Sequence, residues 1–178
     1  KIHTYSERRE EPKCEHFGTC GGCKWQNMNY TSQLAFKENQ VINNLKRIGG
    51  IELPKHKAII GSKNEYFYRN KMEFTFSNKR WLTLEEIQSD AEIADKDALG
   101  FHVPGRFDKV IDLNNCYLQK EPSNSIRLSV KQFADKNGLT YFDIKNHAGL
   151  LRNLLIRTSS TNDLMVLVQF FEKDEKNI

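Results

Sequence analysis

Cys14, Cys20 and Cys23 stand together in the run CEHFGTCGGCKWQ, and a fourth cysteine, Cys116, follows far along the chain. Thiolates are ligands and nucleophiles, so their spacing is the first thing to explain. A C-x2-C pair is short for an unstrained disulfide but suits two thiolates on one inorganic centre, and a reducing compartment disfavours structural disulfides. The pattern C-x5-C-x2-C plus a distant cysteine therefore predicts metal binding by Cys14, Cys20, Cys23 and Cys116. Tetrahedral zinc and an iron-sulfur cluster both accept four thiolates. Zinc ribbons usually supply two C-x2-C knuckles, whereas here one is widened and Gly18, Gly21 and Gly22 let the backbone curl closely, which favours the larger centre. His16, between two of the cysteines, is expected to have a surface or hydrogen-bonding role. Trp25 and Tyr30 are expected to shield the centre from solvent rather than to stack on bases.

The 178 residues suffice for one domain with a real core, or one domain plus an appendage. No apolar run approaches the length of a membrane helix, and the first residues show neither a signal-peptide core nor a starting Met, so a cytoplasmic protein without membrane contact is expected. The absent Met and the end just after an apolar strand suggest a piece of a longer polypeptide, monomeric in its full form. The formal charge is +4, but the stretch 84–98 holds Glu85, Glu86, Asp90, Glu92, Asp95 and Asp97 against Lys96, a net of −5, which leaves +9 on the rest. A basic body with one acidic surface insertion suits a phosphate backbone.

The elements that must position the cysteines can be read from periodicity. Thr31 is the expected N-cap of a helix to about Ile48, with Leu34, Val41, Leu45 and Ile48 as its apolar stripe and Gly49-Gly50 as its stop. A second helix is expected from Ser123 or Ser125 to before Gly138, burying Ile126, Val130, Phe133 and Ala134. In the stretch 67–77 Tyr68, Met72, Phe74 and Phe76 point one way, and Arg69, Lys71, Glu73 and Thr75 the other. LGFHV and KVIDL flank a Pro104-Gly105 turn, and LLRNLLIRTS and LMVLVQFF flank STND, so two hairpins are expected. The fold class is α+β: a mainly antiparallel sheet, a few helices and a cysteine-rich loop.

Arg69 and Lys71, two apart on the wet face of a strand, could contact phosphate, and Arg106 sits at a hairpin tip where it could do the same. Arg152 and Arg157 fall on opposite faces by parity and are assigned no function.

CEHFGTCGGCKWQ, EYFYRNKMEF, GFHVPGRFDKVIDLNNCYLQ, and LRNLLIRTS with MVLVQF together resemble the RNA uridine-5-methyltransferases that modify large-subunit ribosomal RNA. The resemblance implies a 4Fe-4S cluster on the four cysteines and RNA contacts in the YRNK segment. It further implies an order of parts: an OB-like domain ahead of a linker at 1–13, the cluster loop at 14–30, a helix and connection at 31–63 that dock on a methyltransferase domain, and a central α+β domain at 64–178. That methyltransferase domain, absent from this chain, would bind S-adenosylmethionine; no G-x-G turn after a strand occurs here. Family chemistry is thiolate addition to C6 of uracil, methyl transfer to C5 and removal of the C5 proton by a carboxylate, on a base taken out of its stack. With all four thiols committed to the metal, no catalytic residue is assigned here, and this piece is expected to be inactive alone.

Two other classes share some of these features. A zinc-stabilised, non-catalytic nucleic-acid-binding module would use the same cysteines and basic body. A ferredoxin-like carrier is disfavoured by its different ligand spacing and by the size of the sheet.

Overall fold

The computed structural model describes residues 3–89 and 96–173, so residues 90–95 of the acidic stretch lie outside it. The chain divides into two units, Lys1–Phe17 with Cys23–Glu65, and Gly18–Gly22 with Tyr66–Ile178.

The first unit is built on helix α1, Tyr30–Asn43, which runs on through a π-helical turn, Asn44–Ile48. Its cap is Asn29 rather than the expected Thr31: the Asn29 side chain accepts from the Ser32 N–H at 2.9 Å. Asn29 can reach that third helical amide only because it stands outside the helix, and Thr31 is already inside it. Residues 51–65 carry no helix or strand, yet they are tied to α1, since the Ile59 N–H donates to Glu38 Oε1 at 3.0 Å and the Ser62 N–H to Tyr30 Oη at 2.5 Å. No α1 residue is buried, and of the apolar stripe Val41, Leu45 and Ile48 are all exposed.

The second unit is a five-stranded antiparallel sheet of order β3-β2-β1-β4-β5. The strands are β1 (Lys71–Ser77), β2 (Ala98–Val103), β3 (Arg106–Asp112), β4 (Leu151–Thr158) and β5 (Leu164–Phe170). Both expected hairpins form, β2–β3 across Pro104-Gly105 and β4–β5 across residues 159–163, and β1 lies between them. Met72, Phe74 and Phe76 point into the core, as their alternation predicts. Tyr68 does not join them and is 57% exposed. Phe67 adopts φ +55°, which interrupts the extended run and delays the strand to Lys71.

Helix α3, Ser123–Lys136, covers the core with Ala134 buried and Ile126 and Val130 half-buried as expected, but is turned so that Phe133 stays outside. Phe133 is 63% exposed, while Ser123, Arg127 and Ala134 are buried. Arg127 dictates the turn. Its guanidinium is fully buried, donates to the carbonyls of Leu113 and Asn114, and lies 5.6 Å from the Phe74 ring centroid. A short helix α2, Leu84–Gln88, opens the acidic stretch on a Thr83/Glu86 capping box. The fold is α+β. Among the described residues no helix is long and apolar enough to cross a membrane.

Candidate functional site

Each unit supplies two of the four cysteines, and none is in a disulfide. In the first unit the Cys14 N–H donates to Gln26 Oε1 at 3.1 Å, and the Cys14 carbonyl accepts from Phe17. Burial raises the Cys14 thiol pKa, and the neighbouring Cys23 adds to the rise. These two thiols are electrostatic neighbours.

In the second unit Cys20 sits in the short segment Gly18–Gly22, fastened to β2 by a hydrogen bond from the Gly21 N–H to the His102 carbonyl at 3.1 Å. A Cβ at Gly21 would lie 2.6 Å from that oxygen, so only glycine permits the approach. The Gly22 N–H donates to Cys20 Sγ at 3.3 Å, the kind of amide-to-sulfur bond that stabilises a thiolate ligand. Cys116 is buried, and its peptide is gripped at both ends by Asn124: Oδ1 accepts from the Cys116 N–H and Nδ2 donates to its carbonyl. Within each unit the thiols are uncrosslinked, and the amide on the Cys20 sulfur is the kind of bond a thiolate ligand accepts. Among the described residues no group of three or more His, Cys, Asp or Glu side chains is gathered closely enough to hold a metal ion.

The residues around the loop have other partners. His16 Nε2 lies 3.6 Å from Glu15 Oε1, Lys37 sits 5.3 Å from the Trp25 ring centroid, and the Tyr30 hydroxyl serves Ser62.

The basic candidates lie toward one end of the sheet. Arg69 precedes β1 rather than lying in it, and its N–H donates to the Leu118 carbonyl at 2.8 Å; its side chain is exposed. Lys71 opens β1 on the solvent face, with Nζ 3.3 Å from Glu73 Oε2. The antiparallel register through Thr75↔Gly100, carried on along the strands, sets the β2–β3 turn level with the start of β1. Arg106, exposed just past Gly105, therefore belongs to the same end as Lys71. The β4–β5 turn is there too, because Lys71 pairs with Arg157 and Thr158 pairs with Leu164. Arg152 stands apart and stacks on Phe142 at 3.9 Å. Parity along β4 separates Arg152 from Arg157, but only the pairing partner brings Arg157 beside Lys71, and partners are not written in a single strand. Asn124 and Arg127 escaped notice because polar residues in a helix read as its wet face.

No protein-family model matches the chain. An uncharacterized RNA methyltransferase of Bacteroides thetaiotaomicron is 50% identical over 168 residues, which is 94% of this chain and 37% of the relative. One from Porphyromonas gingivalis is 47% identical over 97% of this chain and 38% of its own length, and one from Chlorobaculum tepidum 43% over 91% and 34%. Among solved structures, the tRNA (uracil-54, C5)-methyltransferase of Pyrococcus abyssi in complex with S-adenosyl-L-homocysteine matches 99% of this chain and 36% of its own. Its TM-score is 0.66 at 24% identity, which shows a shared fold. This chain spans little more than a third of each of these proteins. Over nearly its whole length it is a relative of these RNA methyltransferases.

Proposed function

We propose that this chain is the cluster-bearing, RNA-facing central region of an S-adenosylmethionine-dependent RNA uridine C5-methyltransferase, with ribosomal RNA as its substrate. The observation that carries the reading is identity of 43–50% to RNA methyltransferases over nearly the whole chain. Uracil C5 as the target, and S-adenosylmethionine as donor, are supported by the solved neighbour, whose fold this chain shares and which is a uracil-C5 enzyme bound to S-adenosylhomocysteine.

Within that enzyme this chain binds and positions. Lys71, Arg69 and Arg106 meet the RNA backbone at one end of the sheet. Cys14, Cys20, Cys23 and Cys116 hold a 4Fe-4S cluster, which supplies a covalent tie between the cysteine loop and the connection from β3 to α3. Asn124 and the Gly22 amide orient two of these ligands. Thiolate addition, methyl transfer and proton removal belong to residues outside this chain, so the chain alone is inactive.

The test is anaerobic purification of the full-length protein, followed by incubation with methyl-labelled S-adenosylmethionine and either unmodified ribosomal RNA or unmodified tRNA. The expected result is brown protein with about four irons and four sulfides per chain, and label on C5 of uridine in ribosomal RNA. Label on tRNA alone would move the substrate. Colourless protein with one zinc and no methyl transfer would replace the reading with that of a zinc-stabilised binding module.

A further inference from the structure

The β1–β4 pairing does more than place Lys71. At the end of the sheet where β1 begins and the β4–β5 turn folds over, a cavity of about 480 Å3 opens to solvent. Lys71, Arg157, Asn70, Thr158 and Met165 line it. The register explains the set. Lys71, Arg157 and Met165 are successive partners across three strands, so their side chains rise side by side from one face. The Thr158 N–H closes the row on the Asn70 carbonyl at 2.9 Å.

Arg157 is the informative member. It is exposed, and among the described residues its guanidinium meets no carboxylate and makes no hydrogen bond. Lys71 is shared with Glu73 at 3.3 Å. Asp163 also borders the cavity as a carboxylate, engaged by the Ser159 and Thr161 hydroxyls of its own turn. Lys71 and Arg157 are the cationic side chains of the lining, with Met165 beside them. A planar guanidinium beside an ammonium matches the oxygens of a phosphodiester, and the thioether of Met165 gives the adjoining sugar or base a dry surface.

We infer that this cavity is an RNA phosphate site in which Arg157 and Lys71 share one backbone phosphate, with the flanking nucleoside against Met165. The inference rests on the proposed RNA-binding role and adds to it a residue and a location. Arg157 positions RNA; it takes no part in the chemistry.

The experiment uses the full-length protein and a fluorescein-labelled stem-loop RNA with uridines in its loop, titrated at several salt concentrations. Arg157→Gln is expected to weaken binding about five- to tenfold at moderate salt and to reduce the slope of log affinity against log salt by about one. Lys136→Gln, the same charge loss at the far end of α3, is expected to change neither by more than about twofold. Thermal melting of both variants should match the parent protein, since both side chains are exposed. An Arg157→Gln titration that overlays the Lys136→Gln control overturns the inference, as does an affinity loss with an unchanged salt slope, which would point to an occupant held by apolar contact alone. A parent protein that does not bind the stem-loop at all is a different failure, and counts against the proposed function itself.

Discussion

Asn124 holds Cys116 by both ends of its peptide, with Oδ1 2.9 Å from the Cys116 nitrogen and Nδ2 3.1 Å from its oxygen. The same amide group donates to Glu121 Oε1 at 2.9 Å, so the side chain cannot swing away without breaking three contacts. The position of this cysteine is thus set by the first turn of α3, independently of anything bound to the sulfur.

Asn124→Ala should therefore destabilise the protein by about 2–4 kcal/mol, because a buried N–H and a buried carbonyl lose their partner together. Urea unfolding of the full-length protein checks this, and iron content in the same samples should fall. A midpoint equal to that of the parent would show that the grip on Cys116 is dispensable.

Arg127 makes a parallel case. Its two nitrogens serve the Leu113 and Asn114 carbonyls, and a single ammonium cannot span both. Arg127→Lys and Arg127→Met should both cost at least about 3 kcal/mol, as charge-assisted bonds to buried carbonyls are lost. Denaturation of an Arg127→Lys protein at the parent midpoint would mean that charge, and not the forked geometry, is what the site needs.

Gly100 in β2 offers a steric test. A Cβ there would lie 2.0 Å from the Ile111 carbonyl oxygen and 2.9 Å from Leu113 Cγ. Gly100→Ala should force the β2–β3 pair apart and destabilise by about 1–3 kcal/mol or more. Thermal melting reads it directly, with a smaller shift expected for Gly105→Asn, since at φ +76° asparagine is less strained than other side chains and meets no neighbouring atom.

Acid should reveal Asp143. Asn78, above all, and then the Asn146 and Lys145 amides and Lys79 hydrogen-bond its carboxylate and hold its pKa well below the usual range. A carboxyl that is more acidic folded than unfolded stabilises the fold at pH values above its unfolded pKa of about 3.9. That stability drains away as the pH falls toward the lower folded value. Asp143→Asn should lower stability at neutral pH and flatten the loss below about pH 4. Parallel stability curves for the two proteins from pH 7 to pH 2 would rule the residue out.

How much of this was legible beforehand differs by element. Met72, Phe74 and Phe76 announce β1 because a two-residue period survives any choice of partner. The two hairpins announce themselves through their turns. The orientation of α3 was not readable: Ile126 and Phe133 are the apolar choices, but Arg127 reaches the Leu113 and Asn114 carbonyls just past β3 and turns the helix toward them. The strand that was expected from residue 67 shortens because of a single positive φ at Phe67. Of the site, the four cysteines and Lys71 were visible as residue types at given spacings. Arg157 was not, since its meaning lies in being opposite Lys71, and register is a property of two strands.

The central place of β1 has a consequence for synthesis. A ribosome releases β1, β2 and β3 before α3 and the last hairpin, so a three-stranded meander can close while the remainder is still being made. Lys71 must wait for Arg157 to emerge before the two become neighbours. A nascent or prematurely terminated product thus lacks the Lys71–Arg157 pair, which is completed only with the finished sheet.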